Sequence, residues 1–215
     1  MSVAPEGRPF ILAGGFLLAA LITCSVLLGG WWWILSAVWT PVALWTPWFF
    51  RDPIRTGPRG DHLVIAPADG KVVNVAEVDE PTFIGGPAHR VSVFMNVFSV
   101  HVNRYPASGT VAFREYEPGT FVNATLDKAS EKNERMSLGI ETRHGRVLVR
   151  QIAGLVARRI VTDGDVGEIA RQGERLGIIR FGSRVDTFIP RPSRILVSVG
   201  DQALAGVTLL AEWDS

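Results

Sequence analysis

Val100-His101-Val102-Asn103-Arg104-Tyr105-Pro106-Ala107-Ser108-Gly109-Thr110-Val111-Ala112-Phe113-Arg114-Glu115-Tyr116 carries two alternating runs on either side of a Pro-Ala-Ser-Gly turn. Alternation with period two marks strands that bury one face, and Pro, Ser and Gly gather where the chain turns. The same pattern extends outward in both directions. Upstream, residues 90–95 alternate, and Leu63-Val64-Ile65 leads through Pro67-Ala68-Asp69-Gly70 into Val72-Val73. Downstream, 137–141 and 146–150 flank Arg143-His144-Gly145 as a hairpin. Short runs at 176–181, 185–189, 195–199 and 207–211 complete the set. Tight turns are expected at Asp163-Gly164-Asp165 and Gly200-Asp201, and short helices at 166–172 and about 126–135. The class predicted is mostly β (α+β), antiparallel, as a barrel or sandwich.

Before this domain comes a different chemistry. Residues 9–50 contain no charged side chain, and Arg8 and Arg51 bracket the run. A signal-peptide core spans about 7–15 residues, and one membrane-crossing helix needs about 20. The length suits two helices, about 9–28 and 31–50, turning at Gly29-Gly30. Six of the seven tryptophans fall in the second half, as suits indoles at a membrane interface. Pro41 and Pro47 are expected to bend or shorten that half, so a re-entrant or interfacial helix stands beside a full span. The reading is a membrane-anchoring helical hairpin at 1–50 and a catalytic domain at 51–215. Arginines at both ends place that domain on the cytoplasmic side of the cell (inner) membrane.

Composition closes several other routes. With 22 basic and 21 acidic residues, there is no basic surplus for a nucleic-acid partner. The single cysteine, Cys24, lies inside the apolar run, where a thiolate is disfavoured and no internal disulfide can form. His62, His89, His101 and His144 are scattered, so no metal is expected. Glycine-rich phosphate loops and the GxSxG elbow are absent.

What remains is a set of short strings. Arg180-Phe181-Gly182-Ser183-Arg184 holds the only Gly-Ser pair, within an apolar β segment. Alone it reads as a strand kink. Chemically, a serine hydroxyl beside a glycine carbonyl can attack it and shift the acyl group from nitrogen to oxygen; β-elimination of that ester leaves a dehydroalanine, which water hydrolyses to a pyruvoyl group with loss of ammonia. Such a group is an electron sink for an amine substrate. Ala66-Pro67-Ala68-Asp69-Gly70 alone is a turn, and His101 alone is a structural strand histidine. On strand geometry His101 and Asn103 share a face, with Arg104 on the other. Asn133-Glu134-Arg135 alone is a solvated loop.

In order and company these strings resemble the phosphatidylserine decarboxylase family, in its short bacterial and archaeal form. Phe49-Phe50-Arg51-Asp52-Pro53, Ala66 to Val72, and His101-Val102-Asn103-Arg104 carry the likeness. So do Asp127-Lys128-Ala129-Ser130 with Asn133-Glu134-Arg135, and Arg180 to Asp186. The resemblance implies self-cleavage between Gly182 and Ser183 into a β chain, 1–182, and an α chain, 183–215. The cofactor implied is a covalent pyruvoyl group made from Ser183, which forms a Schiff base with the phospholipid substrate. Asp69 is implied to support a histidine that takes the serine proton. Longer members carry two histidines three apart here; this chain has His101 and Arg104, which leaves His101 as the choice for both steps, or the second role elsewhere. Asn103, Arg104, Asn133 and Glu134 are the expected substrate neighbours. The fold implied is a barrel-sandwich related to lipoyl-carrier-like domains. A homo-oligomer is compatible with the resemblance. The rivals are an archaetidylserine or other amino-acid pyruvoyl decarboxylase, and a non-enzymatic membrane-tethered scaffold using Lys71.

Overall fold

The computed structural model describes residues 2–119, 133–154, 159–180 and 183–213. The chain divides into two compact units, Met1–Ile54 and Arg55–Ser215.

The first unit runs β1 (Ser2–Val3), a 3-10 turn (Pro5–Gly7), α1 (Arg8–Leu28), α2 (Trp32–Phe49) and β2 (Arg51–Asp52), with β1 and β2 antiparallel. Gly29 and Gly30 end α1 at φ +64° and +63°, a left-handed conformation that favours glycine. The two helices touch where side chains are small. Ser25 Oγ and Ser36 Oγ lie 2.8 Å apart, and Trp39 Nε1 donates to Gly14 O at 3.0 Å. Most apolar side chains of α1 face outward, with Leu12, Phe16 and Leu27 each more than 70% exposed. Among the described residues one helix, Pro5–Leu28, is long and apolar enough to cross a membrane, with a mean hydropathy of 2.5. Helix α2 runs 18 residues through Pro41 and Pro47, so the prolines do not end it. Its tryptophans lower its hydropathy, and it does not meet the same test.

The second unit is almost wholly strand: β3 (Leu63–Ile65), β4 (Gly70–Glu80), β5 (Gly86–Met95), β6 (Val102–Arg104), β7 (Gly109–Glu117), β8 (Arg135–Thr142), β9 (Gly145–Ala153), β10 (Ile160–Thr162), β11 (Ile169–Ala170), β12 (Arg175–Ile179), β13 (Ser183–Pro190), β14 (Arg194–Ile195), β15 (Gln202–Ala203) and β16 (Leu209–Glu212). An antiparallel eight-stranded sheet runs β11-β7-β8-β9-β13-β5-β4-β15, and two three-stranded sheets run β10-β12-β6 and β14-β16-β3. The large sheet curls into a half-barrel. Extra residues between Val72 and Asn74 in β4, and between Val111 and Phe113 in β7, shift the register and bend those strands. The curl encloses the main core, which includes Val93, Met95, Val149, Leu176, Val185 and Ile189.

Strand β13 is buried along both faces. Val185 and Ile189 point into the main core, so Ser183 and Thr187 share that face. Phe188 points the other way into a smaller cluster with Phe83, Ala88 and Leu148, and Arg184 and Asp186 share its side. Glu80 anchors the β4–β5 connection. Its carboxylate accepts Phe83 N and Ile84 N, each at 2.9 Å, and lies 3.6 Å from Arg150 Nη2. Burial pushes this carboxyl up, but the Ile84, Phe83 and Thr82 donors and the Arg150 charge outweigh burial and hold it below its ordinary 4.5. On acidification the unfolded chain therefore takes this proton first. The contribution is complete above about 4.5 and is lost as pH falls through the lower folded value. Glu80→Gln should lower the melting temperature at about pH 6 and flatten its fall toward about pH 4, as read by thermal melts.

Two local expectations differ from the structure. The helix at 166–172 does not form. Gly167 sits at φ +97° and donates to Val111 O, Val111 N donates back to Glu168 O, and Ile169–Ala170 becomes β11 against β7. The backbone groups that a helix would satisfy internally are taken by β7 instead. Residues 100–116 do hold two strands with a turn between them, and the two strands pair with different neighbours. β6 pairs with β12 while β7 pairs with β8 and β11, and Pro106 O accepts Ile65 N. The other expected helix, 126–135, lies outside the described residues as far as 132, and its end is strand, with Arg135 opening β8.

Candidate active site

One end of the large sheet brings together the Asp69-Gly70, Asn133-Glu134-Arg135 and Ser183 segments. There β4 begins at Gly70, β5 ends at Met95, β13 begins at Ser183, β9 ends at Ala153 and β8 begins at Arg135. Ser183 pairs with Met95 on one side and Ala153 on the other. Its side chain is fully buried, and its Oγ makes no hydrogen bond with any described residue. The Ser92 and Thr187 hydroxyls share that state, and what sets Ser183 apart is the company of the strings around it. Gly182 lies outside the described residues, as does Asp127-Lys128-Ala129-Ser130.

His101 is fully buried just ahead of β6, and its carbonyl accepts Ile179 N. Its Nδ1 lies 3.0 Å from Ser99 O. A carbonyl can only accept, so Nδ1 carries a hydrogen, and in the neutral form of this ring Nε2 is the basic nitrogen. Asn103, also fully buried, reaches Met95, the residue beside Ser183, with Nδ2 3.5 Å from Sδ. Arg104 leaves on the opposite face and donates through Nη1 to Gly173 O at 3.0 Å. Its backbone N–H donates to Pro67 O at 2.9 Å, which ties this string to Ala66-Pro67-Ala68-Asp69-Gly70.

Asp69 is nearly buried in the turn before β4. Oδ2 takes Arg55 Nη2 at 2.6 Å and Oδ1 takes Ala205 N at 2.7 Å. The next residue must be glycine: Gly70 has φ +154°, and a Cβ there would fall 2.0 Å from Phe94 O. On the other side of Ser183, Asn133 Nδ2 donates to Ala153 O at 2.7 Å, and Ala153 N donates to Glu134 O at 2.9 Å. The Glu134 carboxylate also sits by the exposed Tyr116, where local loss of solvent and then that charge and hydrogen bond hold the phenol above its ordinary value. Asp69, Asn103, Asn133 and Glu134 thus lie on strands or turns that flank Ser183, while the Arg104 guanidinium is turned away.

Three participants were not anticipated. Arg55 binds Asp69 across a long loop, which no local pattern announces. Gln151 and Thr162 continue from Asn103, with Gln151 Nε2 2.8 Å from Asn103 Oδ1 and Thr162 Oγ1 2.5 Å from Gln151 Oε1. Gln151 was legible in principle, because it shares strand parity with Val147 and Val149 and so faces the core. His144 is at the opposite end of the sheet, on the β8–β9 turn, stacked on Trp213. Lys71 is inside the ladder, paired with Phe94 and Gln202, and not at a hairpin tip.

The family model for phosphatidylserine decarboxylase matches residues 42–211. The phosphatidylserine decarboxylase proenzyme of Symbiobacterium thermophilum is 49% identical over 209 residues, covering 97% of this chain and 94% of that protein. Each match takes in the Ser183 segment and the strings around it, and the chain belongs to the phosphatidylserine decarboxylase family.

Proposed function

We propose that the protein cuts itself between Gly182 and Ser183, carries the resulting pyruvoyl group on its α chain, and converts phosphatidylserine to phosphatidylethanolamine and carbon dioxide. The observation that carries this is Ser183 itself, fully buried, with no hydrogen bond to its Oγ among the described residues, at the sheet end where Asp69-Gly70 and Asn133-Glu134-Arg135 also lie. The site fits the group: Ser183 is buried on the core face of β13 beside Met95, whose Sδ lies 3.5 Å from Asn103 Nδ2. The pyruvoyl group supplies an electrophilic carbonyl that takes the lipid's amine and draws off the electron pair released with carbon dioxide.

The chain's own residues do the rest. His101, its Nδ1 set on Ser99 O, takes the Ser183 hydroxyl proton during self-cleavage, and the family's supporting carboxylate maps to Asp69, which is held by Arg55 and Ala205 N. In turnover, His101 holds the proton that the product carbon receives. Asn103, Asn133 and Glu134, on elements around Ser183, are the headgroup neighbours, and Arg104, whose guanidinium is turned away onto Gly173 O, is not among them. After scission the α chain 183–215 stays in place because β13 is hydrogen-bonded on both sides, to β5 and to β9. The fold reading is a lipoyl-like barrel-sandwich. The helices at 1–50 form a membrane hairpin that brings the domain 51–215 to its lipid at the cytoplasmic face of the inner membrane. A soluble substrate would need no such anchor.

The test is turnover by the full chain in vesicles that contain phosphatidylserine. Release of carbon dioxide with one phosphatidylethanolamine formed per event is expected, together with no release from free serine. Cleaved protein that turns over free serine and not the lipid would overturn the substrate assignment.

A further inference from the structure

Apolar side chains of the second unit are exposed around the sheet end that holds Ser183. Met95 closes β5 beside Ser183, and the chain then turns at Asn96-Val97-Phe98-Ser99. Asn96 Oδ1 accepts Phe98 N at 2.8 Å and Ser99 N at 3.1 Å, so a side chain builds this turn and holds Val97 and Phe98 outward, Phe98 65% exposed. Ser99 O in turn lies 3.0 Å from His101 Nδ1. At the β15 edge of the sheet, Leu204 follows the Ala203–Gly70 pair and is 46% exposed, and Val199 is exposed in the turn before β15. On the other flank Tyr116, opposite Met136 near the end of β7, is exposed too. In sheet order β7 and β15 each stand three strands from β13, so Ser183 lies midway along this rim.

A single exposed apolar residue needs no explanation, but a set gathered at one end does. Among the described residues of this unit, the other large apolar side chains left exposed are Val166 and Ile169, beside the start of β7 at the far end. The charges at the Ser183 end favour an anionic surface. Asp69 and Glu117 are each paired with an arginine, Asp201 takes the Ser198 N–H, and Glu134 is buried by Tyr116. Lys71, beside Gln202, and Arg159, whose carbonyl accepts Arg180 N, are exposed and make no ion pair among the described residues. The second unit also begins here, because Arg55 is held on Asp69, so the chain leading in from residues 1–50 joins it at this end. Apolar tips flanked by cations suit the headgroup layer of a membrane that contains anionic lipid.

We infer that this rim is a lipid-docking surface, in which Val97 and Phe98 enter the headgroup layer of an anionic bilayer with Leu204, Val199 and Tyr116 around them. The Ser183 end then meets phosphatidylserine while the lipid stays in its membrane. This rests on the lipid substrate proposed above. Docking is distinct from anchoring: residues 1–50 keep the chain at the bilayer, and the rim decides which end of the second unit faces the lipid.

The test uses the full chain in vesicles of phosphatidylcholine and phosphatidylserine. Cys24, the only cysteine, is removed as Cys24→Ala, and Phe98→Cys then carries an environment-sensitive fluorophore. Quenching by a nitroxide placed on the lipid near its headgroup, with protection from aqueous iodide, is expected. Quenching by iodide alone would overturn the inference. So would protection from both quenchers, the sign that protein, such as a second copy of the chain, covers the rim. In turnover, Phe98→Asp should lower carbon dioxide release from the vesicles by about tenfold. Its self-cleavage, and its release from dihexanoyl phosphatidylserine dispersed as monomers, should stay at the parent's level. Leu204→Asp should act in the same direction, and it stays decisive if Phe98→Asp is not cut. Unchanged release from vesicles, or an equal loss on both lipids by cut protein, would overturn the inference. A cut parent chain that releases carbon dioxide from neither lipid would instead overturn the substrate reading beneath it.

Discussion

Ser183→Ala should leave the chain in one piece and without decarboxylase activity. The alanine has no oxygen to attack the preceding carbonyl and none to eliminate, so neither scission nor cofactor can arise. The substitution removes only a fully buried hydroxyl that has no hydrogen-bond partner among the described residues, and folding should tolerate it well. Loss of a purely structural serine would leave activity intact; loss of this one should abolish it while the melt is unchanged or slightly raised. His101→Ala is the companion experiment. General-base help is worth about 10²–10⁴-fold, so that chain should still cut itself, but slowly. Gel electrophoresis over hours to days separates the two behaviours: never cut for Ser183→Ala, cut late for His101→Ala.

The second large effect lies directly beside the first. Arg184 and Asp186, both 0% exposed, face the same side of β13 in a two-point ion pair, with Nε to Oδ1 at 2.8 Å and Nη2 to Oδ2 at 2.9 Å. Removing one partner strands a charge in the interior and costs about 3–5 kcal/mol. The two single variants should differ. Arg150 also feels Asp186; burial and the Arg135 charge already hold its guanidinium below its ordinary value, and the Asp186 and Glu80 charges oppose that shift. Asp186→Ala therefore takes the two-point carboxylate from Arg184 and one of the nearby anions from Arg150, which keeps Glu80, whereas Arg184→Ala leaves Asp186 with Arg150. Asp186→Ala should be the worse of the two, with a drop in melting temperature on the order of 10 °C. Replacing both with apolar residues, Arg184→Met with Asp186→Leu, should recover much of the loss. Melts followed by far-ultraviolet circular dichroism read these changes, and a double variant no better than either single one would contradict the pairing.

How far the sequence revealed the fold depended on where each strand's partners came from. Alternation identified β5, β7, β8, β9 and β13, because those strands bury one or both faces locally. It failed at 166–172, where a run with helix-like spacing is held open by Gly167 and by β7, a segment more than fifty residues earlier. It also could not say that β6 and β7, joined by a short turn, enter different sheets; that choice is made by Pro67, Glu174 and Ile65. The site behaved similarly. Gly182-Ser183, Asp69 and His101-Val102-Asn103-Arg104 were legible only in one another's company, since each alone is a kink, a turn or a strand. Arg55 beneath Asp69 and the Thr162–Gln151 string behind Asn103 were not read at all, because they act through contacts that only the closed half-barrel makes.

The most direct test of the central claim is the intact mass of the purified chain after it has stood at working pH. Two polypeptides are expected, 1–182 and 183–215. The smaller should lack a free amine at its start and be lighter than a serine-initiated chain by the mass of one ammonia. A single mass for residues 1–215, or a smaller piece that begins with an unmodified serine, would contradict it.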